Sequence, residues 1–139
     1  MTGQQVSHHD KCFGCGAANP DGLHAEWHLA EDHTLNGSFL VHEGLQGPPG
    51  YAHGGIIAAA LDEAMSLLVH GLGIHNVTQG FEVRLLSATR IGTRVRLEAG
   101  LTNDPGGGRT RSVEARAIDG ATSRLLATGR AKIVADERG

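Results

Sequence analysis

Apolar and polar residues alternate along three stretches of the chain, at residues 23–29, 81–85 and 95–101. A period of two is typical of a β-strand that buries one face and leaves the other in water. Further strands are expected at residues 34–41, 110–118 and 122–134, the last two joined by a hairpin at Asp119-Gly120. The pattern therefore predicts an antiparallel sheet.

Residues 54–70 have the composition of a helix instead, since alanine, leucine and methionine dominate them and Gly71 and Gly73 follow as terminators. The segment is apolar almost all round, and its clearly polar side chains are Asp62, Glu63, Ser66 and His70. One flat sheet could not cover such a helix. A helix about 25 Å long fits inside a curled sheet whose strands span about 30 Å. We expect an α+β fold of element order ββαββββ, in which a curved antiparallel sheet wraps a long central helix.

The length of 139 residues suits one domain, which we expect to span residues 1–139 with a loop-like segment at residues 1–21. The formal charge of −3 comes from 12 basic and 15 acidic residues without a block of either sign. Neither nucleic acid nor a membrane surface is therefore an expected partner. The opening residues lack a secretion signal and no apolar run is long enough to span a membrane, so a cytoplasmic location is expected.

The two cysteines, Cys12 and Cys15, stand in a single CFGC motif. A structural zinc site needs four ligands, and this motif supplies two of them. The histidines that could complete such a site are His8, His9, His24 and His28. A redox motif would be expected at the start of a helix, and no helix is predicted there. We favour a structural turn at this motif and expect no metal, with a metal site as the open alternative.

Two longer segments, CFGCGAANPDGLH and QGPPGYAHGGIIAAALDEAM, resemble the phenylacetate-pathway (PaaI-like) thioesterases of the hotdog superfamily. The most specific part of the resemblance is HGG followed by the acidic pair Asp62-Glu63 on the helix. It implies a hotdog fold and an enzyme that hydrolyses the thioester of an aryl- or fatty-acyl-CoA to the free acid and CoA, with no cofactor besides the CoA of the substrate. It also implies a homodimer or homotetramer whose active sites lie between subunits.

Thioester hydrolysis needs a donor that stabilises the oxyanion and a group that activates water or attacks directly. Gly54 and Gly55 open the predicted helix, where unpaired N–H groups and the positive end of the helix dipole favour a developing negative charge. Because Gly54 and Gly55 have no side chain, they let the thioester approach. The resemblance implies that the Gly54 N–H is this donor and that Asp62 is the catalytic carboxylate, acting as general base or nucleophile. Structural roles in packing or at an interface stay open for these residues.

The spacing of Gly54 and Asp62 supports an inference that does not depend on the family resemblance. The two residues are eight positions apart, which is about 12 Å along a helix axis. One helix therefore cannot place both on the same carbonyl group. If both act, Asp62 must serve the Gly54 of a neighbouring subunit, most simply across a two-fold axis.

Several other residues have possible roles beside the thioester. By resemblance, Thr78 aligns with the hydroxyl that holds the water or the carboxylate, although it could be an ordinary strand threonine. His53 could fix the loop or form a hydrogen bond near the thioester, and Gln46 could polarise the carbonyl group. Glu63 points about 100° away from Asp62 around the helix, so we expect a structural salt bridge or interface contact, with the active acid as the alternative.

A CoA substrate also brings phosphates, for which cations are expected at the mouth of the pocket. The candidates are Arg109, Arg111 and Lys132. Each could equally be a solvated or paired surface cation.

Two other functions remain as alternatives. The first is a non-catalytic hotdog protein that binds acyl-CoA. The second is a hotdog enoyl-CoA hydratase, which would need an aspartate and a histidine working together in a hydratase-type motif that we do not find in the sequence.

Overall fold

The computed structural model describes residues 3–102 and 107–136, and within them one α-helix packs against a seven-stranded antiparallel sheet. The strands are β1 (Gln4–Gln5), β2 (Glu26–Leu29), β3 (Leu35–Leu40), β4 (Asn76–Leu85), β5 (Arg94–Leu101), β6 (Thr110–Asp119) and β7 (Leu125–Ala135), and the helix is α1 (Gly54–Gly71). The order across the sheet is β1-β2-β3-β5-β6-β7-β4. The expected α+β hotdog fold, with a helix held by an antiparallel sheet, is confirmed.

The N-terminal part of the chain differs from the prediction in two details. Residues 1–21 were expected to be loop-like, but Gln4–Gln5 form the short edge strand β1 beside β2. A strand of two residues is too short to show a period of two. The strand predicted at residues 23–29 begins only at Glu26, because His24 adopts a φ of 52°, a left-handed conformation that interrupts an extended strand.

The core lies between α1 and the inner face of the sheet. The helix contacts β3, β4, β5, β6 and β7. Its buried residues cover most of its circumference, and they are Ile57, Ala60, Leu61, Ala64, Met65, Leu67, Leu68 and Val69. No helix in the described residues is long and apolar enough to cross a membrane.

Trp27 is the largest side chain in this core, and it is 1% exposed. It pairs with Gly37 across β2 and β3, and its indole ring covers the glycine so closely that a Cβ atom there would overlap the ring. Its Nε1 donates a hydrogen bond to the carbonyl oxygen of Gly14 at 2.9 Å. Trp27 therefore fastens the CFGC loop to the sheet.

We expect Gly37→Ala to destabilise the fold by about 1–3 kcal/mol, because the added methyl group must displace a buried indole. Gly100→Ala is the matched control, since a Cβ at this strand glycine meets its nearest atom at an ordinary 3.9 Å. The measurement is urea unfolding of both variants. Equal midpoints for the two variants would contradict the packing described for Trp27.

Candidate functional site

Asp62 lies in the middle of α1 and is half-buried between the buried residues Leu61 and Met65. The hydroxyl of Thr78 on β4 donates a hydrogen bond to Asp62 Oδ1 at 2.7 Å. The structure thus brings together two of the residues singled out in the sequence. A carboxylate held at one oxygen by a neutral donor keeps its other oxygen for a second partner.

A β-bulge in β4 aims Thr78 at the helix. Thr78 pairs with Ile133 of β7 and Gly80 pairs with Lys132, so Gln79 is an extra residue on its strand. A bulge changes which residues of a strand face the core. Thr78 faces α1 before the bulge, and Val83 packs against the core after it. An unbroken alternation from Val83 would have turned Thr78 away from Asp62.

The N-terminus of α1 leaves one amide without an acceptor. His53 is the N-cap residue, and its Nδ1 accepts a hydrogen bond from the Gly55 N–H at 2.8 Å. No residue in the described part of the chain accepts a hydrogen bond from the Gly54 N–H. Gly54 therefore offers a free donor at the positive end of the helix dipole.

The loop before the helix is closed by its own hydrogen bonds. Gln46 Oε1 accepts a hydrogen bond from the Gly50 N–H at 2.8 Å, and the Gly47 N–H donates to the carbonyl oxygen of Tyr51 at 2.9 Å. In this structure the side-chain carbonyl of Gln46 therefore stabilises the turn before the helix.

Gly54 and Asp62 lie on the same helix, two turns and about 12 Å apart along its axis. The structure does not bring them together within one chain. Leu85, at the far end of β4 from Thr78, lies beside Gly54, where a Cβ atom would meet the Leu85 Cδ1 at 2.8 Å. The two halves of the candidate site therefore border opposite ends of the same strand.

Glu63 faces a different group of side chains from Asp62. Its Oε2 lies 2.9 Å from His8 Nδ1, and its Oε1 accepts a hydrogen bond from the Cys12 thiol at 3.5 Å. Both cysteines are free thiols. Four side chains make up this group, which we call the thiol cluster: His8, Cys12, Cys15 and Glu63. The expected salt bridge of Glu63 is present, with His8 as its partner.

Burial and charge act against each other in the thiol cluster. Burial disfavours the charged form of His8, but the hydrogen bond and negative charge of Glu63 outweigh it, so the pKa of His8 is raised. Burial alone would raise the pKa of Glu63, but the hydrogen bond and positive charge of His8 lower it. Burial raises the pKa of the Cys15 thiol. The ion pair of His8 and Glu63 thus forms beside a thiol whose pKa is raised.

A second polar network joins the thiol cluster to β4. Ser66 Oγ lies 3.4 Å from His8 Nε2 and donates a hydrogen bond to Asn76 Oδ1 at 2.8 Å. The Asn76 side-chain amide donates to the carbonyl oxygens of Ser66 and Ile74. Sequence reasoning missed this network, because nothing in the pattern links Ser66 to a residue beyond the end of the helix.

The predicted CoA-binding cations lie on β7, at the start of β6 and in the turn just before β6. Arg111 donates to the carbonyl oxygens of Gly108 and Thr110, and Arg109 donates to that of Ala135. Lys132 is exposed and lines an open depression of about 930 Å³ on the sheet. Neither Gly54 nor Asp62 lines this depression. The cations are thus not gathered around Asp62 within a single chain.

Comparison with known proteins finds one family model that matches part of the sequence. Residues 49–104 match the model of the thioesterase superfamily. This match includes the end of the loop before the helix, all of α1 and β4, and the residues Gly54, Asp62 and Thr78. No curated protein matches the chain.

Several solved structures share the fold. A thioesterase superfamily protein has a TM-score of 0.81 at 20% identity, over 91% of this chain and 61% of its own length. The Escherichia coli PaaI protein from the phenylacetic acid degradation operon has a TM-score of 0.75 at 15% identity, over 82% of this chain and 80% of its own. A hypothetical thioesterase from Streptococcus pneumoniae, solved with coenzyme A, has a TM-score of 0.73 at 18% identity, over 80% and 87%.

The present chain thus spans less than two thirds of the length of the first of these proteins. At such identities the structures establish the fold, while the family match rests on residues 49–104. The shared fold confirms the expected hotdog fold, and the match of residues 49–104 to the thioesterase superfamily model agrees with the predicted resemblance to PaaI-like thioesterases.

Proposed function

We propose that the chain is an acyl-CoA thioesterase that hydrolyses an aryl- or fatty-acyl-CoA to the free acid and CoA in a site shared by two subunits. The observation that carries this proposal is the hydrogen bond from Thr78 to Asp62. It orients a half-buried carboxylate in the middle of an apolar helix and leaves one of its oxygens for water or substrate.

The neighbouring structures support the same pair of residues. Two further structures of the Streptococcus pneumoniae protein carry single substitutions to alanine, one at an aspartate and one at a threonine sixteen positions later. Asp62 and Thr78 are also sixteen positions apart. The structure of that protein with coenzyme A supports an acyl-CoA as the class of substrate.

In the proposed reaction, the Gly54 N–H of one subunit donates to the thioester oxygen as negative charge develops on it. As general base, Asp62 of the other subunit takes a proton from water, whose oxygen bonds to the carbonyl carbon. The bond from carbon to sulfur then breaks, and the CoA thiolate leaves and takes up a proton. As nucleophile, Asp62 would instead bond to that carbon first and displace the CoA thiolate, and water would then hydrolyse the resulting anhydride to the free acid and the Asp62 carboxylate.

The edge strand β4 supports a shared site. It has ten residues, and among the residues that the structure describes only β7 pairs with it, along one of its two edges. Its exposed apolar side chains are Val77 (44%), Phe81 (45%) and Leu85 (56%), followed by Leu86 (52%) just beyond the strand. A long apolar edge of this kind needs a cover, and a second copy of the strand supplies one.

Antiparallel pairing of two β4 strands around a two-fold axis would assemble the site. The start of one strand, where Thr78 holds Asp62, would then lie opposite the end of the other, where Leu85 lies beside Gly54. Each pair of strands would make two equivalent sites. This arrangement brings together the two groups that one helix holds about 12 Å apart.

Arg111 is the best placed of the three CoA-binding candidates. It pairs with Ile133 of β7, which in turn pairs with Thr78, so Arg111 and Thr78 lie in one row across the sheet. Two strand spacings separate them, about 9.6 Å. Arg109 and Lys132 lie near the same end of the sheet and stay candidates for the CoA phosphates.

Asp62→Asn tests the proposed base or nucleophile. We expect thiol release from a panel of aryl-, short-, medium- and long-chain acyl-CoAs to fall by about 10²–10⁴-fold, because the amide can neither take a proton from water nor attack the thioester. Asp21→Asn, the same change at an exposed position, is the control and should keep full activity. Full activity in Asp62→Asn would contradict the assignment. If the wild-type chain binds CoA but releases no thiol from any substrate of the panel, it is a non-catalytic binder. Hydration of enoyl-CoA instead would indicate a hydratase.

Gly54→Pro tests the oxyanion donor by removing its N–H. Proline is favoured at the first position of a helix, and His53 before it already has the extended conformation that proline requires. Gly54→Ala is the matched variant, because it adds the same Cβ beside Leu85 but keeps the N–H. We expect kcat to be about 10²–10³-fold lower in Gly54→Pro than in Gly54→Ala. Similar kcat values in the two variants would show that this amide is not the donor.

A further inference from the structure

We propose that the thiol cluster binds one structural zinc ion. Its four donor atoms come from two parts of the chain that are far apart in sequence, the N-terminal segment and the middle of α1, and all lie within 4.8 Å of one another. The cysteine motif alone supplies only two ligands. The fold adds His8 from the same segment and Glu63 from the helix, which completes a set of four.

Three separations between donor atoms fall within the edges of a zinc tetrahedron, and no separation in the set exceeds 4.8 Å. Zinc bonds of about 2.3 Å to sulfur and about 2.0–2.1 Å to nitrogen or oxygen give tetrahedral edges of roughly 3.3–3.8 Å. His8 Nδ1 lies 3.8 Å from Cys12 Sγ and 3.4 Å from Cys15 Sγ. Cys12 Sγ lies 3.5 Å from Glu63 Oε1. His8 Nδ1 lies 2.9 Å from the other carboxylate oxygen of Glu63, Oε2, and this separation would lengthen by about half an ångström if Oε2 were the oxygen bound to the ion.

The chemistry of the donors selects zinc among common metal ions. Two thiolates, one imidazole and one carboxylate form a mixed sulfur, nitrogen and oxygen set that suits zinc and disfavours magnesium or calcium, which prefer oxygen alone. Four protein ligands leave no open position for water or substrate, which is typical of a structural site. The proposed ion therefore has no part in thioester hydrolysis.

Outer hydrogen bonds hold the donors in place. With Nδ1 of His8 on the metal, its Nε2 carries the proton and lies 3.4 Å from Ser66 Oγ, which donates onward to Asn76. The backbone N–H of His8 donates to Cys15 Sγ at 3.1 Å, a contact that stabilises a thiolate. Metal-bound histidines in proteins are commonly oriented by a partner on the second ring nitrogen.

Gly14, between the two cysteines, allows the helix to reach the cluster. A Cβ atom on Gly14 would overlap the side chain of Glu63, so only glycine permits the carboxylate to enter between the thiols. Trp27 holds the carbonyl group of Gly14 from the other side. The loop is therefore shaped around Glu63 rather than being only a turn between strands.

The ion would fasten the N-terminal segment to α1. Residues 6–23 contain no helix or strand, so the ordering of their backbone has little regular hydrogen bonding to offset it. A metal with ligands on both the segment and the helix supplies this stability. Its helix ligand directly follows Asp62 in the sequence, so the ion would also fix the middle of the helix on which the proposed catalytic carboxylate stands.

The test is the metal content of the full chain, purified without a histidine tag and without chelator. We expect about one zinc ion per chain. After a chelator has removed this metal, added cobalt should give sulfur-to-cobalt charge-transfer absorption and the intense visible bands of tetrahedral cobalt. Removing the metal with a chelator should lower Tm by at least about 5 °C, and zinc should restore it. None of these readouts depends on thioesterase activity.

Two adjacent histidines provide a matched control. His8→Gln should lose tight zinc binding, whereas His9→Gln, at an exposed position outside the cluster, should keep it. Cys15→Ser should abolish the charge-transfer band. The proposal is overturned if the wild-type chain binds cobalt without sulfur absorption, if His8→Gln and His9→Gln bind zinc equally, or if the thiols of the purified chain form a disulfide. Where a variant fails to fold, the comparison of the wild-type chain before and after removal of its metal still decides the question.

Discussion

A buried helix that carries polar side chains in its middle turns must provide each of them with a partner, because a polar group withdrawn from water without one costs roughly 1–3 kcal/mol. In α1 this constraint falls on three residues within five positions, Asp62, Glu63 and Ser66. Each has a different partner. Thr78 forms a hydrogen bond with Asp62, the N-terminal segment provides the partner of Glu63, and Asn76 accepts a hydrogen bond from Ser66. These contacts determine which chain segments must pack beside the helix, and they create both the candidate active site and the thiol cluster.

The two carboxylates, Asp62 and Glu63, are adjacent in sequence but have different structural environments. The rotation of about 100° between neighbouring helix positions sends Asp62 towards the edge strand β4 and Glu63 towards the N-terminal segment. Asp62 keeps a neutral partner and an available oxygen, whereas Glu63 is paired with His8 and two thiols. In the proposed account, one carboxylate is held for chemistry at a subunit boundary and the other holds the chain together.

The elements themselves were predictable because their signals are local. The period of two in residues 95–101 and the apolar length of residues 54–70 correspond to β5 and α1 within about one residue at each end. The pattern did not reveal that β4 pairs with β7, because alternation records which face of a strand is buried and not which strand lies beside it. It also gave no sign of the extra residue Gln79, although this bulge is what turns Thr78 towards Asp62.

The candidate site was likewise predictable where its signals are local and unpredictable where it depends on contacts between distant segments. Gly54 and Asp62 could be selected from one short segment, and their separation on the helix follows from helix geometry alone. His8 was one of four histidines that could join Cys12 and Cys15, and the sequence offered no reason to choose it. Glu63 as the fourth member depends on a contact between residues 55 positions apart, which only the packing of the N-terminal segment against α1 reveals.

The central claim is that one site takes its oxyanion donor and its carboxylate from different subunits, and co-expression of Gly54→Pro with Asp62→Asn tests it most directly. In a mixed dimer, one of the two shared sites would have both native groups and the other neither. Random pairing makes about half of the dimers mixed, so the account predicts about a quarter of the wild-type thiol release, although each variant alone is nearly inactive. Mixed dimers that form but remain as inactive as their parents would contradict the account.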